Sequence, residues 1–138
     1  IIIEKLLRED DGSIPNQYNF YMFQGKCKSV HVFFGNKINN PSISFFDEEW
    51  NFLSVKKLNR LPGPKIKKPE NYEFMVEIAE NLSNPFDYVR VDLYNINGRI
   101  YFGELTHYSG SGKGKYEPQY IDFELGRYWK VEQEYWKK

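Results

Sequence analysis

The sequence has few of the side chains on which disulfide-rich and zinc-binding proteins depend. Its 138 residues include one cysteine, Cys27, and two histidines, His31 and His107. A single cysteine cannot form an internal disulfide, and this usage is typical of a reducing compartment. The sequence contains no zinc-ligand spacing. We therefore expect a cytoplasmic protein in which Cys27 fills space in a strand, His31 faces solvent from a strand, and His107 lies in a loop without a role.

The chain also lacks a charge excess and a long apolar run. Nineteen lysines and arginines balance nineteen aspartates and glutamates, so no net field favours nucleic acid or an anionic membrane. No apolar stretch approaches the roughly 20 residues that a membrane-spanning helix needs. The opening segment IIIEKLL is too short and too charged for a signal peptide. We expect no nucleic-acid partner and no transmembrane segment.

The patterns that are present predict an α+β domain: an antiparallel sheet with one main packed helix. Strands are predicted at residues 1–7, in QYNFYMF, CKSVHVFF and SISFFD, and at about 86–95 and 99–106. A helix is predicted from Asn71, as its cap, to Ser83, with Pro85 preventing continuation. Its apolar stripe has three- and four-residue spacing and consists of Phe74, Met75, Ile78, Ala79 and Leu82. The tail from residue 122 is expected to hold a short helix.

Length and the first residues bear on domain organisation. A chain of 138 residues suits a single domain, which we assign to residues 1–138. Its first three residues are isoleucines, a run usually found inside a sheet, whereas termini are more often polar. We expect a C-terminal fragment of a longer protein, starting within a strand.

Two acids stand in strand-like segments on either side of the NING turn. A two-residue turn at Asn97 and Gly98 would place Asp92 and Glu104 on opposite faces of the sheet. A three-residue turn that includes Ile96, with Gly98 in the left-handed conformation, would place both acids on one face. We expect the three-residue turn, with Asp92 opposite Phe102.

The pattern allows two interpretations of these acids. Asp92 and Glu104, as diagonal neighbours, can converge on a hard cation such as Mg²⁺, which prefers oxygen ligands. Alternatively, Arg90 and Glu104 form an ordinary cross-strand ion pair and Asp92 is exposed to solvent. Residue spacing alone favours the ion pair.

Several segments together resemble a known family. They are YNFYMFQGK, FFDEEWN, KPENYEFMVEIAENLS, FDYVRVDLYNINGRIYFGELT and LGRYWK, in family order over residues 15 to 130. The chain resembles the TupA-like ATP-grasp family, named for teichuronopeptide biosynthesis. The resemblance implies the C-terminal ATP-grasp subdomain of an ATP- and Mg²⁺-dependent carboxylate–amine ligase. The resemblance further implies a reaction through an acyl phosphate and a role in cell-surface polysaccharide assembly.

The resemblance also implies roles for particular residues. Asp92, Glu104 and Thr106 would be metal ligands, and Arg90 would be the catalytic phosphate contact. The segment Glu4, Lys5, Leu6 and Leu7 resembles the hinge against which adenine lies. The partners would be ATP and a carboxylate-bearing substrate, of which an acidic polysaccharide is one candidate.

The chain differs from the ATP-grasp pattern at several positions. Thr106 and Ser109 stand where many of these enzymes have Asn and Pro, and Gln17 occupies the position of the ribose-binding acid. The phosphate-binding lysines would precede residue 1, so we expect residues 1–138 alone to bind little ATP. A second hypothesis rests on the 18% aromatic content: the chain is a non-catalytic module that binds a glycan or a protein partner.

Overall fold

A computed structural model describes residues 6–35 and 41–131. Within these ranges the chain forms a seven-stranded sheet, a small two-stranded sheet and two α-helices. The elements are β1 (Gln17–Phe23), β2 (Lys26–Phe34), β3 (Ser42–Asp47), β4 (Phe52–Leu53), β5 (Lys56–Lys57), β6 (Leu61–Pro62), α1 (Tyr72–Ser83), β7 (Tyr88–Ile96), β8 (Arg99–Thr106), β9 (Tyr116–Glu117) and α2 (Tyr120–Arg127).

The main sheet has the order β4-β3-β2-β1-β7-β8, with all neighbours antiparallel, while β6 pairs with β3 in parallel. Strands β5 and β9 form the small sheet. The prediction of an α+β fold with a mostly antiparallel sheet is confirmed. The short helix predicted in the tail from residue 122 is α2, which begins two residues earlier, at Tyr120. Leu6 and Leu7 have no regular structure, and the rest of the predicted first strand lies outside the described residues.

Helix α1 packs on β7, β1 and β2 and buries one face of the sheet. The strand positions that face it alternate, as half-buried strands require. They include Phe20, Met22, Val30, Val89, Val91 and Leu93. The predicted helix is therefore confirmed, but its face is rotated. Tyr72, Met75 and Ala79 are buried against the sheet, whereas Phe74 is 56% exposed, so its predicted core position is wrong.

Asn71 precedes α1, but its side chain does not cap the helix. Its Nδ2 donates to the carbonyl oxygen of Gly98 at 3.0 Å, and its Oδ1 accepts from Asn95 Nδ2 at 2.6 Å. The start of the helix is thereby attached to the turn and outer end of the β7–β8 hairpin.

The other face of the sheet is covered as well. Phe45 and Val55 belong to a second apolar cluster, against which Tyr116 of β9 and Ile121 of α2 pack. His31 is consequently 1% exposed, and its ring centroid lies 4.0 Å from that of Tyr21 and 4.5 Å from that of Phe45. The prediction that His31 faces solvent is wrong.

Cys27 is buried in β2, as expected of a structural residue. Burial raises the pKa of its thiol to about 12, which leaves little thiolate at neutral pH. Within the described part of the chain, no helix has the length and apolar character needed to span a membrane.

Candidate active site

The β7–β8 hairpin turns through two residues. Ile96 pairs with Arg99, and Asn97 and Gly98 have φ of 51° and 79°. Positive φ at both positions is the geometry of a type I′ turn, for which Asn-Gly is the preferred sequence. Gly98 has the expected positive φ, but the predicted three-residue turn is wrong.

A bulge further along the hairpin restores the placement of the acids. Leu93 pairs with Phe102, but Asp92 pairs with Glu104, so Gly103 is the extra residue on β8. A Cβ atom at Gly103 would lie 3.0 Å from the carbonyl oxygen of Asp92. The close approach explains glycine at this bulge. Asp92 therefore faces Glu104 directly across the two strands.

Arg90 is the centre of the resulting cluster. Its Nε donates to Asp92 Oδ1 and its Nη2 to Asp92 Oδ2, both at 2.6 Å. The same Nη2 lies 2.8 Å from Glu104 Oε1. The fork of the guanidinium matches a carboxylate in this bidentate geometry, which is stronger and more directional than a single contact.

Two hydroxyl groups extend the cluster. Thr106 Oγ1 accepts from Arg90 Nη2 at 3.0 Å and donates to Glu104 Oε1 at 2.9 Å. Ser109 Oγ accepts from Arg90 Nη1 at 2.9 Å and lies 3.1 Å from the hydroxyl of Tyr21. The residues predicted as metal ligands and phosphate contact, together with Ser109, thus occupy one connected site.

Strand β1 contributes Gln17, which the family resemblance placed at the ribose-binding position, and Asn19, whose place sequence reasoning missed. Gln17 Nε2 donates to Asp92 Oδ2 at 2.6 Å. Asn19 pairs with Asp92 across β1 and β7, and its Oδ1 is buried without a hydrogen-bond partner among the described residues. Both face the cluster because they alternate with Tyr18 and Phe20, which face α1. That alternation was the available signal.

Burial differs sharply between the two acids. The side chain of Asp92 is 0% exposed, whereas that of Glu104 is 55% exposed. Burial raises the pKa of Asp92 to about 6, although the hydrogen bond and charge of Arg90 act in the opposite direction. Burial lowers the pKa of Arg90, but its contacts with Asp92 raise it by more, to above its ordinary value.

The cluster fits a magnesium ion in the type of its donor atoms. Carboxylate, hydroxyl and amide oxygens are suitable ligands, and the unpartnered Oδ1 of Asn19 adds a buried acceptor. However, Arg90 Nη2 lies between the two carboxylates, where a bridging cation would bind. Among the described residues no group of three or more His, Cys, Asp or Glu side chains could hold a metal. A cation shared by both acids would therefore have to displace the guanidinium.

The ion-pair interpretation describes part of this geometry. Arg90 and Glu104 do form a pair, but Asp92 is fully buried instead of exposed, so that part of the interpretation is wrong. Two residues of the predicted adenine hinge, Glu4 and Lys5, lie outside the described residues. Leu6, which is exposed, and Leu7 precede β1 in irregular chain.

A cavity of about 180 Å³ adjoins the cluster at Ser109. Aromatic side chains form most of its wall, among them Tyr21, Tyr88 and Trp129, and Asp122 of α2 contributes a carboxylate. His107, for which no role was predicted, also lines it. The abundance of aromatic residues in the tail was the sequence signal, but the tail's position over β7 and β1 could not be inferred from it.

Comparison with known proteins gives one match. A family model described as TupA-like ATPgrasp matches residues 1–130. No curated protein and no solved structure gives a significant match. The matched range includes the whole β7–β8 hairpin, Ser109, and the β1 residues that contact it.

Proposed function

The chain belongs to the TupA-like ATP-grasp family, and from this premise we propose that it is part of an ATP- and Mg²⁺-dependent carboxylate–amine ligase. We place its reaction in cell-surface polysaccharide biosynthesis, on the cytoplasmic side of the membrane. The observation that carries the proposal is the buried contact of Arg90 with Asp92, extended to Glu104. These three residues form an oxygen-rich, charged site on one face of the sheet.

The charge of this site suits an anionic substrate bound with a metal. The formal charges of Arg90, Asp92 and Glu104 sum to one negative charge, which by itself repels the phosphates of ATP. Asp92, Glu104, Thr106 and Asn19 would hold Mg²⁺ through oxygen atoms. When bound, Mg²⁺ supplies positive charge that stabilises the transferring phosphoryl group. The net charge then becomes positive and attracts phosphate.

The chain's own residues have distinct tasks in the proposed reaction. A substrate carboxylate oxygen attacks the γ-phosphorus of ATP, the bond to ADP breaks, and an acyl phosphate forms. An amine nitrogen then attacks the carbonyl carbon, the C–O bond to phosphate breaks, and the nitrogen loses a proton to solvent. Arg90, displaced from the carboxylates by the cation, would contact the transferred phosphate through its N–H groups, and Gln17 would hold Asp92 in position through its hydrogen bond to Oδ2.

The metal assignment has a direct test. In a protein that contains this chain, Mn²⁺, a paramagnetic substitute for Mg²⁺, should broaden the backbone amide NMR signals of β7 and β8 near Asp92 and Glu104 when ATP is present. Asp92→Asn and Glu104→Gln should abolish the broadening. Asn19→Leu should weaken it without loss of stability, because it removes an unpartnered buried oxygen. Glu124→Gln, an exposed carboxylate paired with Arg127 on α2, is the matched control and should have no effect.

Activity provides the second test. A protein that contains this chain should release phosphate from ATP only when a carboxylate and an amine substrate are both present, and Glu104→Gln should remove that release. Unchanged Mn²⁺ broadening and full activity in Glu104→Gln would contradict the assigned metal role.

A further inference from the structure

The cavity beside Ser109 is not used by the phosphoryl-transfer cluster. Its volume of about 180 Å³ is below the 300–1,000 Å³ of pockets that hold drug-sized ligands. It is therefore too small for a nucleotide and has room for the end of a substrate, such as a short aminoalkyl group.

Six of the thirteen described residues that line the cavity are phenylalanine, tyrosine or tryptophan. The ring centroids of Tyr88 and Trp129 lie 4.9 Å apart, with an angle of 33° between the ring planes, and the ring centroid of Phe23 lies 5.0 Å from that of Tyr88. Tyr116, another wall residue, already has the Lys57 ammonium 5.5 Å from its ring centroid. The negative faces of such rings attract cations, and the attraction grows when the cation is partly desolvated.

The charged side chains point to the same ligand class. Within the part of the chain that the structure describes, Asp122 is the one carboxylate among the lining residues, and no lysine or arginine is among them. The Asp122 side chain forms no hydrogen bond or ion pair with any described residue. A carboxylate beside aromatic rings that pairs with no described basic side chain is complementary to an ammonium group.

Position links the cavity to the cluster. Ser109 belongs to both, since it lines the cavity while its Oγ lies 2.9 Å from Arg90 Nη1. Tyr21 also lines the cavity, and its hydroxyl oxygen lies 3.1 Å from Ser109 Oγ. Ser109 thus connects the wall of the cavity to the Arg90 guanidinium.

We propose that this cavity binds the amine-bearing substrate, as a primary ammonium group held by Asp122 and the Tyr88 and Trp129 rings. The role as the amine site of a ligase rests on the proposed function, but the binding of a small ammonium ion does not. Binding from this side places the nitrogen next to Ser109, near the position where Arg90 would hold the acyl phosphate. The ammonium group would lose a proton to solvent before its nitrogen attacks the carbonyl carbon.

The experiment compares two probes of equal size that differ in charge. At pH 7, n-butylamine is an ammonium ion, whereas 1-butanol is neutral. Titration of each into the 138-residue chain, without ATP or metal, is followed through the indole N–H signal of Trp129 in the NMR spectrum. We expect saturable shifts with butylammonium and at least fivefold weaker binding of butanol.

Two variants assign the charge dependence to one carboxylate. Asp122→Asn should weaken butylammonium binding roughly fivefold, the effect of one unit charge at about 4 Å in a solvent-exposed site, and should leave butanol unchanged. Glu124→Gln, two residues along α2 and outside the cavity wall, should bind both probes as the parent chain does. When Trp129→Leu is added to Asp122→Asn or to Glu124→Gln, it should weaken the binding of butylammonium further in each case.

Three outcomes would overturn the proposal: equal affinity for both probes, no effect of Asp122→Asn, or stronger binding of methyl glucoside than of butylammonium. The last outcome would instead favour a sugar-binding cavity. Because these titrations contain no nucleotide, their failure leaves the Mn²⁺ result at Asp92 and Glu104 intact. Conversely, loss of the metal assignment would leave an ammonium site without a ligase role.

Discussion

The side-chain amide of Gln17 donates to Oδ2 of Asp92 at 2.6 Å, and this bond joins β1 to β7 in the buried part of the site. Gln17 itself is 4% exposed. Asp92 thus has a neutral donor on one side and the charged Arg90 on the other. The amide satisfies the carboxylate without adding charge.

Gln17→Glu replaces that donor with a second acceptor. Two carboxylates would then lie within hydrogen-bond distance in a buried site, where like charges repel strongly. We expect a loss of about 2–4 kcal/mol in the free energy of unfolding at pH 7, partly recovered at pH 5 as one carboxylate is protonated. Urea denaturation at both pH values measures it. Gln119→Glu, at an exposed position before α2, is the control and should change stability little. Equal stability of the two variants would contradict the role of Gln17.

The two acids should differ in what they contribute to stability. Asp92→Asn leaves Arg90 without its bidentate partner in a buried site, a change that typically costs about 3–5 kcal/mol. Glu104→Gln removes a carboxylate that is 55% exposed, and exposed ion pairs contribute about 0–1 kcal/mol. Chemical denaturation of both variants should show this difference.

The Glu104 variant is therefore the informative one for function. It should fold as the parent chain does and lose only metal binding, so that its defect cannot be attributed to unfolding. A loss of stability in Glu104→Gln as large as that in Asp92→Asn would show that Glu104 is chiefly structural.

Gly103 should be intolerant of even a small side chain. An alanine Cβ would lie 3.0 Å from the Asp92 carbonyl oxygen and 3.2 Å from Tyr94 Cε2, so the backbone of β7 would have to shift. We expect Gly103→Ala to destabilise the protein by about 1–3 kcal/mol and to alter Mn²⁺ binding at Asp92. Gly126→Ala places its methyl group in open space on α2 and should stabilise by up to about 1 kcal/mol. Thermal unfolding measures the stability of both variants. If Gly103→Ala and Gly126→Ala changed the stability in the same direction, this explanation would be contradicted.

The hairpin shows which parts of the site were predictable from the sequence. The side-chain period of two and the Asn-Gly turn correctly predicted two strands with an intervening turn. The turn length was wrong, and the acids share a face because of the bulge at Gly103. A bulge depends on contact between strands, here between Gly103 and the Asp92 backbone, and has no local pattern of its own.

The errors at Phe74 and His31 have a different cause. Alternation and periodicity identify a face but not what covers it. In α1, the row through Tyr72, Met75 and Ala79 faces the sheet, and this leaves Phe74 outside. In β2, His31 alternates as a half-exposed residue would, but α2 and β9 cover the second face of the sheet. Long-range packing of the tail decided this burial.

The burial of His31 predicts a pH dependence of stability. Burial and the charges of Lys57 and Arg90 lower its pKa well below the ordinary 6.5. Below pH 6.5 the unfolded chain therefore binds a proton that the folded chain does not. His31 thus favours the folded state fully above about pH 6.5, and its contribution falls by up to about 1.4 kcal/mol per pH unit below it.

Comparison of the parent chain with His31→Phe isolates this effect from that of Asp92. The raised pKa of Asp92 has the opposite sign, because its carboxyl group takes up a proton in the folded state before the unfolded state does, which favours folding as pH falls through about 6. Phenylalanine suits the aromatic surroundings of Tyr21 and Phe45 and does not titrate. The difference in unfolding free energy between variant and parent should grow as pH falls from 7 to 5, in urea titrations at fixed salt. His107→Gln, at an exposed position, should retain the parent's pH dependence. A constant difference between His31→Phe and the parent would show that His31 becomes charged in the folded protein, with water or a moved side chain at its ring.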